Sequence, residues 1–447
     1  MEFKKFEFSD YELLCSFLIE LNKGDKVHIN CNWARLEWMI GHPEFDHSLI
    51  NLIGLWTKDN RVVATAIYDT YLGEASVLAL KEYEYLYEEL LDYAYQYLKD
   101  DNGLGIAVND KDENLINLVK EKGYLLYPQK EVLMKMNINH IFEYQLPPNI
   151  TLKSINPYEG EEAISWVFYQ GFDHGNNYDE FKKELSFGHY HRPHVNQELN
   201  IVAVNAKGEY VGFCSVWYDM RTTYAYLEPL CVIPSCRKQG IARALIYELM
   251  NRVKNMGAKE IYVISDKDFY KNAGFLLDQT YSFYFVDKIE TVNGKSYKLL
   301  KLLGKGKGGY SYLAQDENNK EVVLKKIHHE PCDYYTFGNK IEAEINDYQR
   351  LINAKIRIPK MIDVDKEKEI IIKEYIEGEV ISDLTNKEKY IPQVVEMAHQ
   401  AKEKGLNIDY YPTNFVVRNE LLYYIDYECN EYMDEWSFDN WGSKYWH

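Results

Sequence analysis

The sequence predicts a mixed α/β (α+β) chain of three domains, at residues 1–145, 150–290 and 296–447. Helix and strand patterns follow one another in a similar order in the first two segments, as in an internal repeat with a period of about 150 residues. The turn cluster Pro147–Asn149 separates the two copies. From about residue 296 the pattern changes, starting with a glycine-rich stretch at 302–314.

In the first segment, Tyr11–Leu21 is predicted to form an amphipathic helix because its apolar residues recur at helical spacing. Leu52–Trp56 and Val62–Tyr68 are predicted to form a hairpin around Asp59 and Asn60. A second helix is expected at Glu82–Leu98.

The second segment repeats this order with more elements. Strands are predicted at Ile150–Lys153, Leu199–Val204, Tyr210–Tyr218, Tyr224–Val232 and Glu260–Ser265. Helices are predicted at Gly160–Phe172 and Gly240–Met256.

In the third segment, Glu321–Ile327 is predicted to be a strand and Lys340–Leu351 a helix. A tight hairpin is expected around Arg418, Asn419 and Glu420.

Composition narrows the function classes. The formal charge of −19 argues against a nucleic-acid partner and would attract a polycationic amine. An odd number of cysteines, seven, without a C-x-x-C pair argues against a disulfide framework and a structural zinc site. The N-terminus has no apolar core of a signal peptide, and no apolar run approaches the roughly 18 residues of a membrane span. We therefore expect a cytoplasmic protein.

A short basic loop joins an apolar strand to a helix in the second segment. Backbone N–H groups at a helix N-terminus bind phosphate, and small residues let a pyrophosphate approach closely. The residues expected to hold a pyrophosphate are Arg237, Lys238, Gln239, Gly240, Ile241 and Ala242.

This string resembles the R/Q-x-x-G-x-G/A signature of the GNAT superfamily of acetyltransferases, and the resemblance covers about residues 150–290. It implies acetyl-CoA as cofactor, with the pantetheine arm pairing with the strand backbone at Leu230, Cys231, Val232 and Ile233. The segment Asp268–Phe275 resembles the family's F-Y-x-x-x-G-F element, which implies that Tyr270 protonates the leaving thiolate. Glu228, on the same strand, is our candidate base, with a surface carboxylate as the alternative.

The second segment also contains a histidine cluster, and the first segment shows a weaker form of the same fold resemblance. His189, His191 and His194 have a metal-like spacing, but a solvated loop that lines the amine site is the preferred interpretation. The same fold resemblance extends faintly over residues 1–140, where Leu80–Tyr85 replaces the glycine loop and Val119 the tyrosine. This copy is predicted to be degenerate, to lack acetyl-CoA, and to shape the substrate cleft or the assembly.

The third segment resembles a small bilobal protein-kinase-like fold. Its glycine motif comprises Gly304, Gly306 and Gly309, and the phosphate-binding lysine would be Lys325, paired with Glu344. The D-x-x-x-x-N spacing makes Asp409 the hydroxyl-proton acceptor and Asn414 a magnesium ligand, with Asp426 as the second ligand. The resemblance implies Mg-ATP as a second cofactor.

The departures from the kinase pattern indicate a truncated domain. No His-Arg precedes Asp409, and Glu428 replaces the glycine of D-F-G, as in aminoglycoside phosphotransferases. Few residues follow Asp426, so we expect neither an activation loop nor a peptide-docking lobe.

The combined prediction is an N-acetyltransferase for a primary amine, on a small molecule or a protein, linked to an ATP-binding module. One alternative is a bifunctional enzyme that acetylates and phosphorylates an aminoglycoside-like polyamine. The other is an acetyltransferase gated by a module that only binds nucleotide.

Overall fold

The computed structural model describes residues 1–42, 45–156, 161–184, 193–330 and 338–447. The chain folds into two compact units. The first comprises Met1–Tyr124 and Gln129–Val286, and the second comprises Leu125–Pro128 and Asp287–His447. Both predicted GNAT-like segments thus fall in the first unit, and their separation into two domains stays a prediction.

The first unit is built on one sheet of twelve strands. In chain order these are β1 (Glu2–Lys5), β2 (Gly54–Lys58), β3 (Arg61–Tyr68), β4 (Glu74–Ala79), β5 (Leu104–Asn109), β6 (Leu125–Asn137), β7 (Thr151–Ser154), β8 (Asn200–Val204), β9 (Tyr210–Tyr218), β10 (Tyr224–Val232), β11 (Glu260–Ile264) and β12 (Leu276–Val286). Their order across the sheet is β1-β2-β3-β4-β5-β12-β6-β11-β10-β9-β8-β7.

The two copies exchange their last strands. Strand β6 comes from the first copy and pairs antiparallel with β11 of the second, from Asn137 opposite Glu260 to Leu133 opposite Ile264. Strand β12 comes from the second copy and pairs antiparallel with β5 of the first. Each copy has one parallel pair, β4 with β5 and β10 with β11. The predicted repeat is therefore present in the order and direction of the strands.

Eight helices of the described part of the first unit flank this sheet. They are α1 (Tyr11–Leu21), α2 (Trp33–Ile40), α3 (Tyr87–Tyr97), α4 (Glu113–Glu121), α5 (Glu161–Gly171), α6 (Tyr178–Glu184), α7 (Ile241–Met256) and α8 (Asp268–Asn272). Helix α7 buries Ile241, Leu245 and Leu249, spaced by one helical turn, together with Val253 in the core of the second copy. No helix among the described residues is long and apolar enough to cross a bilayer.

The second unit begins with six antiparallel strands, β13 (Ile289–Val292), β14 (Lys295–Lys305), β15 (Gly309–Asp316), β16 (Glu321–Ile327), β17 (Met361–Asp365) and β18 (Ile370–Glu374). Their order is β13-β14-β15-β16-β18-β17. Helix α9 (Lys340–Asn353) follows β16 in the chain. The strand predicted at Glu321–Ile327 is confirmed, and the helix predicted at Lys340–Leu351 is two residues longer.

The rest of the second unit contains helix α10 (Ile391–Glu403) and five short strands. These are β19 (Glu379–Val380), β20 (Leu406–Ile408), β21 (Phe415–Arg418), β22 (Leu421–Tyr424) and β23 (Cys429–Glu431). The predicted hairpin joins β21 to β22 through Asn419 and Glu420, which both have positive φ. Their left-handed conformation matches the twist of a two-residue hairpin turn.

Candidate functional sites

Strand β10 changes its pairing in the middle, next to Glu228. Its parallel pairing with β11 runs from Tyr224 to Tyr226. Toward β9 the register shifts between Leu227 and Leu230, as in a β-bulge. Beyond the bulge, Leu230, Cys231 and Val232 pair with β9. Among the described residues, none of β11 pairs with this part of β10. The two strands therefore diverge, and the edge of β10 that is predicted to pair with pantetheine is open.

The carboxyl group of Glu228 lies at this bulge and has a perturbed pKa. Burial raises the pKa of Glu228 to about 7, although the positive charges of Arg35 and Lys267 lower it. The backbone carbonyl of Glu228 accepts a hydrogen bond from the indole Nε1 of Trp217 at 2.8 Å. A carboxyl group with a pKa near neutrality is suited to exchange protons at physiological pH.

Tyr270 lies on the short helix α8 and faces the same region. Burial raises the pKa of its hydroxyl, and the nearby charge of Glu228 raises it further. The ring makes edge contacts with Phe269 and Phe275 at centroid distances of 5.1 and 5.7 Å. The hydroxyl therefore keeps its proton at neutral pH, as a proton donor must. The structure thus places Glu228 and Tyr270 within electrostatic reach of each other.

The N-terminus of α7 has the features of an anion site. Gly240 precedes the helix with φ of +85°, and no side chain caps the first turn. A Cβ at Gly240 would find its nearest neighbour 3.9 Å away, at the carbonyl of Gln145, so the space beside it is open. Uncapped amides and the helix dipole favour a phosphate here. Lys238 also has a positive φ, of 61°.

Arg237, expected to add positive charge for the pyrophosphate, is held by the protein itself. Its Nε donates to the carbonyl of Val232 at 3.0 Å, and Nη2 donates to that of Gly171 at 2.8 Å. Its guanidinium also pairs with Asp173 at 2.9 Å. Arg237 therefore fastens the loop to its surroundings, while the backbone of residues 238–242 presents the N–H groups.

Sequence reasoning missed Arg35. This residue belongs to the first copy, but its positive charge acts on Glu228, which lies on β10 of the second copy. It sits on α2 and pairs with Asp69 at 3.0 Å and with Glu131 at 2.7 Å. A cavity beside it is lined by Asp69, Glu74 and Glu131, among other residues. The one signal in the sequence is a basic residue inside Trp33–Ile40, whose only other charged residue is Glu37.

In the first copy, the segment in place of the glycine loop forms a short 3₁₀ helix at Lys81–Leu86. Glu82 and Glu84 lie in its first turn. Val119 is completely buried in α4. Two carboxylates at this helix start would repel a pyrophosphate, and the loss of the cofactor from this copy stays a prediction.

His189 and His191 lie outside the described residues, whereas His194 is described. His194 is not a solvated loop residue, because its Nδ1 is 2.5 Å from the buried carboxylate of Glu37. Its Nε2 is 3.0 Å from Glu12. Hydrogen bonding to Glu37 raises the pKa of His194.

The second unit brings together the predicted nucleotide residues. Lys325 on β16 donates a short hydrogen bond to Glu344 on α9 and lies 3.8 Å from Asp426. A Cβ at Gly308 would lie 3.1 Å from the Glu344 carboxylate and 3.5 Å from Lys325 Nζ. The glycine-rich turn between β14 and β15 therefore passes directly over this ion pair, and a side chain at Gly308 would crowd it.

Asp409 and Asn414 lie near Asp426, the residue that is 3.8 Å from Lys325. The carbonyl of Asn414 accepts a hydrogen bond from the amide of Ile425, adjacent to Asp426, at 2.9 Å. Burial raises the pKa of Asp409, and the negative charges of Glu428 and Asp426 raise it further. Burial alone would also raise the pKa of Asp426, but Lys325 and Lys373 keep it below its usual range. Such carboxylate and amide oxygens suit Mg²⁺.

Two further lysines complete this site, and neither belongs to the motif found in the sequence. Lys307, in the glycine-rich turn, pairs with Glu428 at 2.7 Å. Lys373 on β18 donates to the carbonyl of Ile425 at 2.8 Å. Burial, with a smaller contribution from Lys325, lowers the pKa of Lys373 to about 8.

The match to a protein-family model falls within the first unit. Residues 162–275 match a family model described as Acetyltransferase (GNAT) family. A search of curated proteins found no match. One similar solved structure is a GCN5-related N-acetyltransferase from Sphaerobacter thermophilus, with 16% identity over 64% of this chain and 95% of the other, and a TM-score of 0.43.

Another is a tandem GNAT protein from the clavulanic acid biosynthesis pathway, with 13% identity over 64% of this chain and 98% of the other, and a TM-score of 0.44. A probable N-acyltransferase from Enterococcus faecalis shares 11% identity over 73% of this chain and 87% of the other, with a TM-score of 0.31. Residues 162–275 are thus similar to the acetyltransferases of the GNAT family, by the match to the model of that family.

Proposed function

We propose that the first unit transfers an acetyl group from acetyl-CoA to a primary amine. The observation that carries this proposal is the position of Glu228, a carboxyl group with a pKa of about 7, at the bulge where β10 leaves β11. The open strand edge and the uncapped start of α7 fit the two parts of CoA, its pantetheine arm and its pyrophosphate. Leu230–Ile233 would hold the arm, and residues 238–242 the pyrophosphate.

Glu228 and Tyr270 divide the proton transfers of this reaction. Glu228 accepts a proton from the ammonium group, directly or through water, so that the nitrogen lone pair can attack the acetyl carbon. As the new C–N bond forms and the C–S bond breaks, the hydroxyl of Tyr270 donates a proton to the leaving sulfur. The thiolate of CoA has a pKa near that of a free cysteine, about 8.5, so the leaving group benefits from this donation.

The acceptor is proposed to be cationic. The cavity beside Arg35 is lined by three carboxylates, two of which pair with Arg35, so its lining keeps a net negative charge. The whole chain has a formal charge of −19. Both would attract a polyamine or an aminoglycoside-like compound. Arg35 also lowers the pKa of Glu228, so it links the cavity electrostatically to the proposed base.

We further propose that the second unit is kinase-like and binds Mg-ATP. The support is the arrangement of Lys325, Glu344 and Asp426 under the glycine-rich turn. Lys325 would contact the phosphates, Asp426 and Asn414 would hold Mg²⁺, and Asp409 would accept the proton of a hydroxyl substrate. The raised pKa of Asp409 is compatible with that last role.

Two versions of the linkage differ in what the second unit does. In the bifunctional version, both units turn over and the acceptor gains an acetyl and a phosphoryl group. In the gating version, nucleotide binding changes only the rate of acetylation. The carboxylate at Asp409 favours the bifunctional version, since a unit that only binds nucleotide needs no proton acceptor.

A library of aminoglycosides, polyamines, amino acids and peptides, incubated with the full chain, acetyl-CoA and Mg-ATP, tests both proposals by mass spectrometry. An acetyl adduct should appear with the wild type and disappear with Gly240→Glu, which fills the open space at the start of α7. A phosphoryl adduct should disappear with Asp409→Asn. Absence of acetyl adducts across all amine classes would contradict the first proposal, and absence of phosphoryl adducts would favour gating.

A further inference from the structure

Three metal-ligating side chains converge in the first unit, away from Glu228 and Tyr270. Cys15 comes from α1, Glu37 from α2, and His194 from the turn before β8. One donor atom from each residue lies within 4.8 Å of those of the other two. The three residues are far apart in the sequence, so no short spacing motif could indicate that they form a metal site.

This cluster is buried and its hydrogen bonding is incomplete. Cys15 and Glu37 are 0% exposed. Oε1 of Glu37 contacts Nδ1 of His194 at 2.5 Å. Oε2 is buried and has no hydrogen bond of normal geometry to any described residue, although the buried hydroxyl of Tyr11 lies close to Glu37 and Cys15. A buried carboxylate oxygen without a partner costs folding free energy, and a bound cation would satisfy it.

The aromatic residues around the cluster exclude water. Trp33, one turn before Glu37 on α2, is 1% exposed, and Tyr11, one turn before Cys15 on α1, is 7% exposed. The ring of His194 stacks on that of Tyr11 at 6.3 Å and meets Trp33 edge-on at 5.9 Å. These contacts fix the imidazole at the open side of the cluster.

We propose that Cys15, Glu37 and His194 bind a zinc ion. A thiolate, an imidazole and a carboxylate form a zinc donor set, whereas Mg²⁺ and Ca²⁺ prefer oxygen ligands alone. Ligands of a tetrahedral zinc lie about 3.3 to 3.8 Å apart, so small side-chain rotations suffice to close the cluster. On binding, the Cys15 thiol releases its proton to solvent, and the ion takes the place of the hydrogen bond between His194 and Glu37.

The fourth position of the ion lies toward solvent. Glu12, on the same helix as Cys15, has a side chain that is 59% exposed and contacts Nε2 of His194 at 3.0 Å. A water molecule would complete the tetrahedron, and Glu12 would hold the other ring nitrogen of His194 as an outer partner. The site fastens the segment before β8 to α1 and α2, and so joins a part of the second copy to helices of the first.

Metal titration of the full chain, freed of metal by a chelator, tests this proposal. Wild-type protein should bind one zinc ion per chain, and added Co²⁺ should give a thiolate-to-cobalt charge-transfer absorption. Cys15→Ala should abolish that absorption. His194→Ala should weaken zinc binding by more than the roughly 10- to 100-fold that loss of an outer-shell partner costs. Cys429→Ala, a buried cysteine of the second unit, is the matched control and should change neither signal.

His194→Ala also guards against a folding artefact. The side chain of His194 is 25% exposed and Cys15 is 0% exposed, so His194→Ala should disturb the fold less than Cys15→Ala, and circular dichroism of each variant checks this. Wild-type protein that binds no zinc, or shows no thiolate-to-cobalt absorption, would overturn the proposal. Metal binding that persists unchanged in His194→Ala would overturn it as well, because the ion would then lie elsewhere.

Discussion

The indole N–H of Trp217 on β9 donates a 2.8 Å hydrogen bond to the backbone carbonyl of Glu228 on β10. This bond crosses the bulge at which the two strands change register. It fixes the backbone of the proposed base to a buried residue, since Trp217 is 4% exposed. The orientation of the Glu228 carboxyl group therefore depends on a side chain that does not itself take part in proton transfer.

Trp217→Phe is expected to lower kcat about tenfold, because the bulge can relax once its hydrogen bond is lost. Stability should fall by about 1 kcal/mol, the usual contribution of one hydrogen bond. Trp56→Phe is the matched control: Trp56 is also buried and donates one hydrogen bond of 2.8 Å, to Glu89. The control should show a similar loss in thermal melts with unchanged kcat, and equal kcat losses in both variants would contradict the positioning role.

Glu228→Gln should remove the acidic limb of the pH profile, where the rate of the wild type falls because the base is protonated. In the wild type, kcat/KM should rise with pH through about 7, because the carboxyl group is an effective base only when ionised. The variant should be at least about 100-fold slower and lack this limb. An unchanged profile in the variant would show that another group accepts the proton.

The same substitution should increase stability at high pH. Burial raises the pKa of Glu228 from 4.5 to about 7, so the folded state binds its proton more tightly than the unfolded state. The carboxyl group thus contributes stability below about pH 4.5, and this contribution is lost as the pH rises to 7. Chemical denaturation should find Glu228→Gln more stable than wild type by on the order of 1–3 kcal/mol at pH 8, with little difference at pH 4.

Tyr270→Phe should lower kcat about 100-fold with little change in acetyl-CoA affinity, because the ring stays and only the proton donor is removed. Tyr247→Phe is a suitable control, since the hydroxyl of Tyr247 donates to the carbonyl of Ala273 at 3.0 Å in a structural contact. Single-turnover kinetics and calorimetric titration with acetyl-CoA separate the two effects. A large loss of affinity with unchanged single-turnover rate would reassign Tyr270 to binding.

Gly240→Ala should weaken acetyl-CoA binding about tenfold, because a side chain strains the left-handed backbone and crowds the pyrophosphate site. Gly208→Ala separates the two causes. Gly208 has φ of +83°, close to the +85° of Gly240, and it also has open space around it. Both variants should lose similar stability, but only Gly240→Ala should lose affinity in a calorimetric titration.

Lys325→Met should abolish the rise in melting temperature that Mg-ATP is expected to cause. The substitution removes the proposed phosphate contact. It also removes the cation that pairs with the carboxylate of Glu344, whose Oε2 has no hydrogen-bond partner among the described residues. Lys320→Met, at an exposed position, should retain the full shift. If Mg-ATP stabilised Lys325→Met as much as wild type, nucleotide binding at this site would be disproved.

The sequence predicted those elements whose determinants are local. The two tight hairpins were found because Asp59–Asn60 and Asn419–Glu420 tolerate the left-handed conformation that such turns require. The loop before α7 was found because a glycine precedes a strongly periodic helix. By contrast, the exchange of β6 and β12 could not be predicted, because an apolar alternation shows that a strand is buried but not which strand it pairs with.

The residues of the candidate sites could likewise be predicted only where they belong to a short local motif. Tyr270, Glu228 and the kinase-like residues lie in short motifs, so they could be named in advance. Arg35, Trp217 and Lys373 act through contacts across the fold, and a single sequence carries no record of them. His194 illustrates the difference: its spacing to two other histidines suggested a solvated loop, whereas its partner is Glu37, which lies 157 residues away in the chain.

The strand exchange has a consequence for how the first unit unfolds. If one copy unfolded alone, its last strand, β6 or β12, would have to leave the strands of the other copy with which it pairs. Both copies would then have an unpaired strand edge. We therefore expect the two copies to melt in one cooperative transition, despite having the strand order of separate domains. If the chain were cut between the two copies, each fragment would expose an unpaired strand edge that is prone to aggregation. We therefore expect that neither copy folds stably without the other.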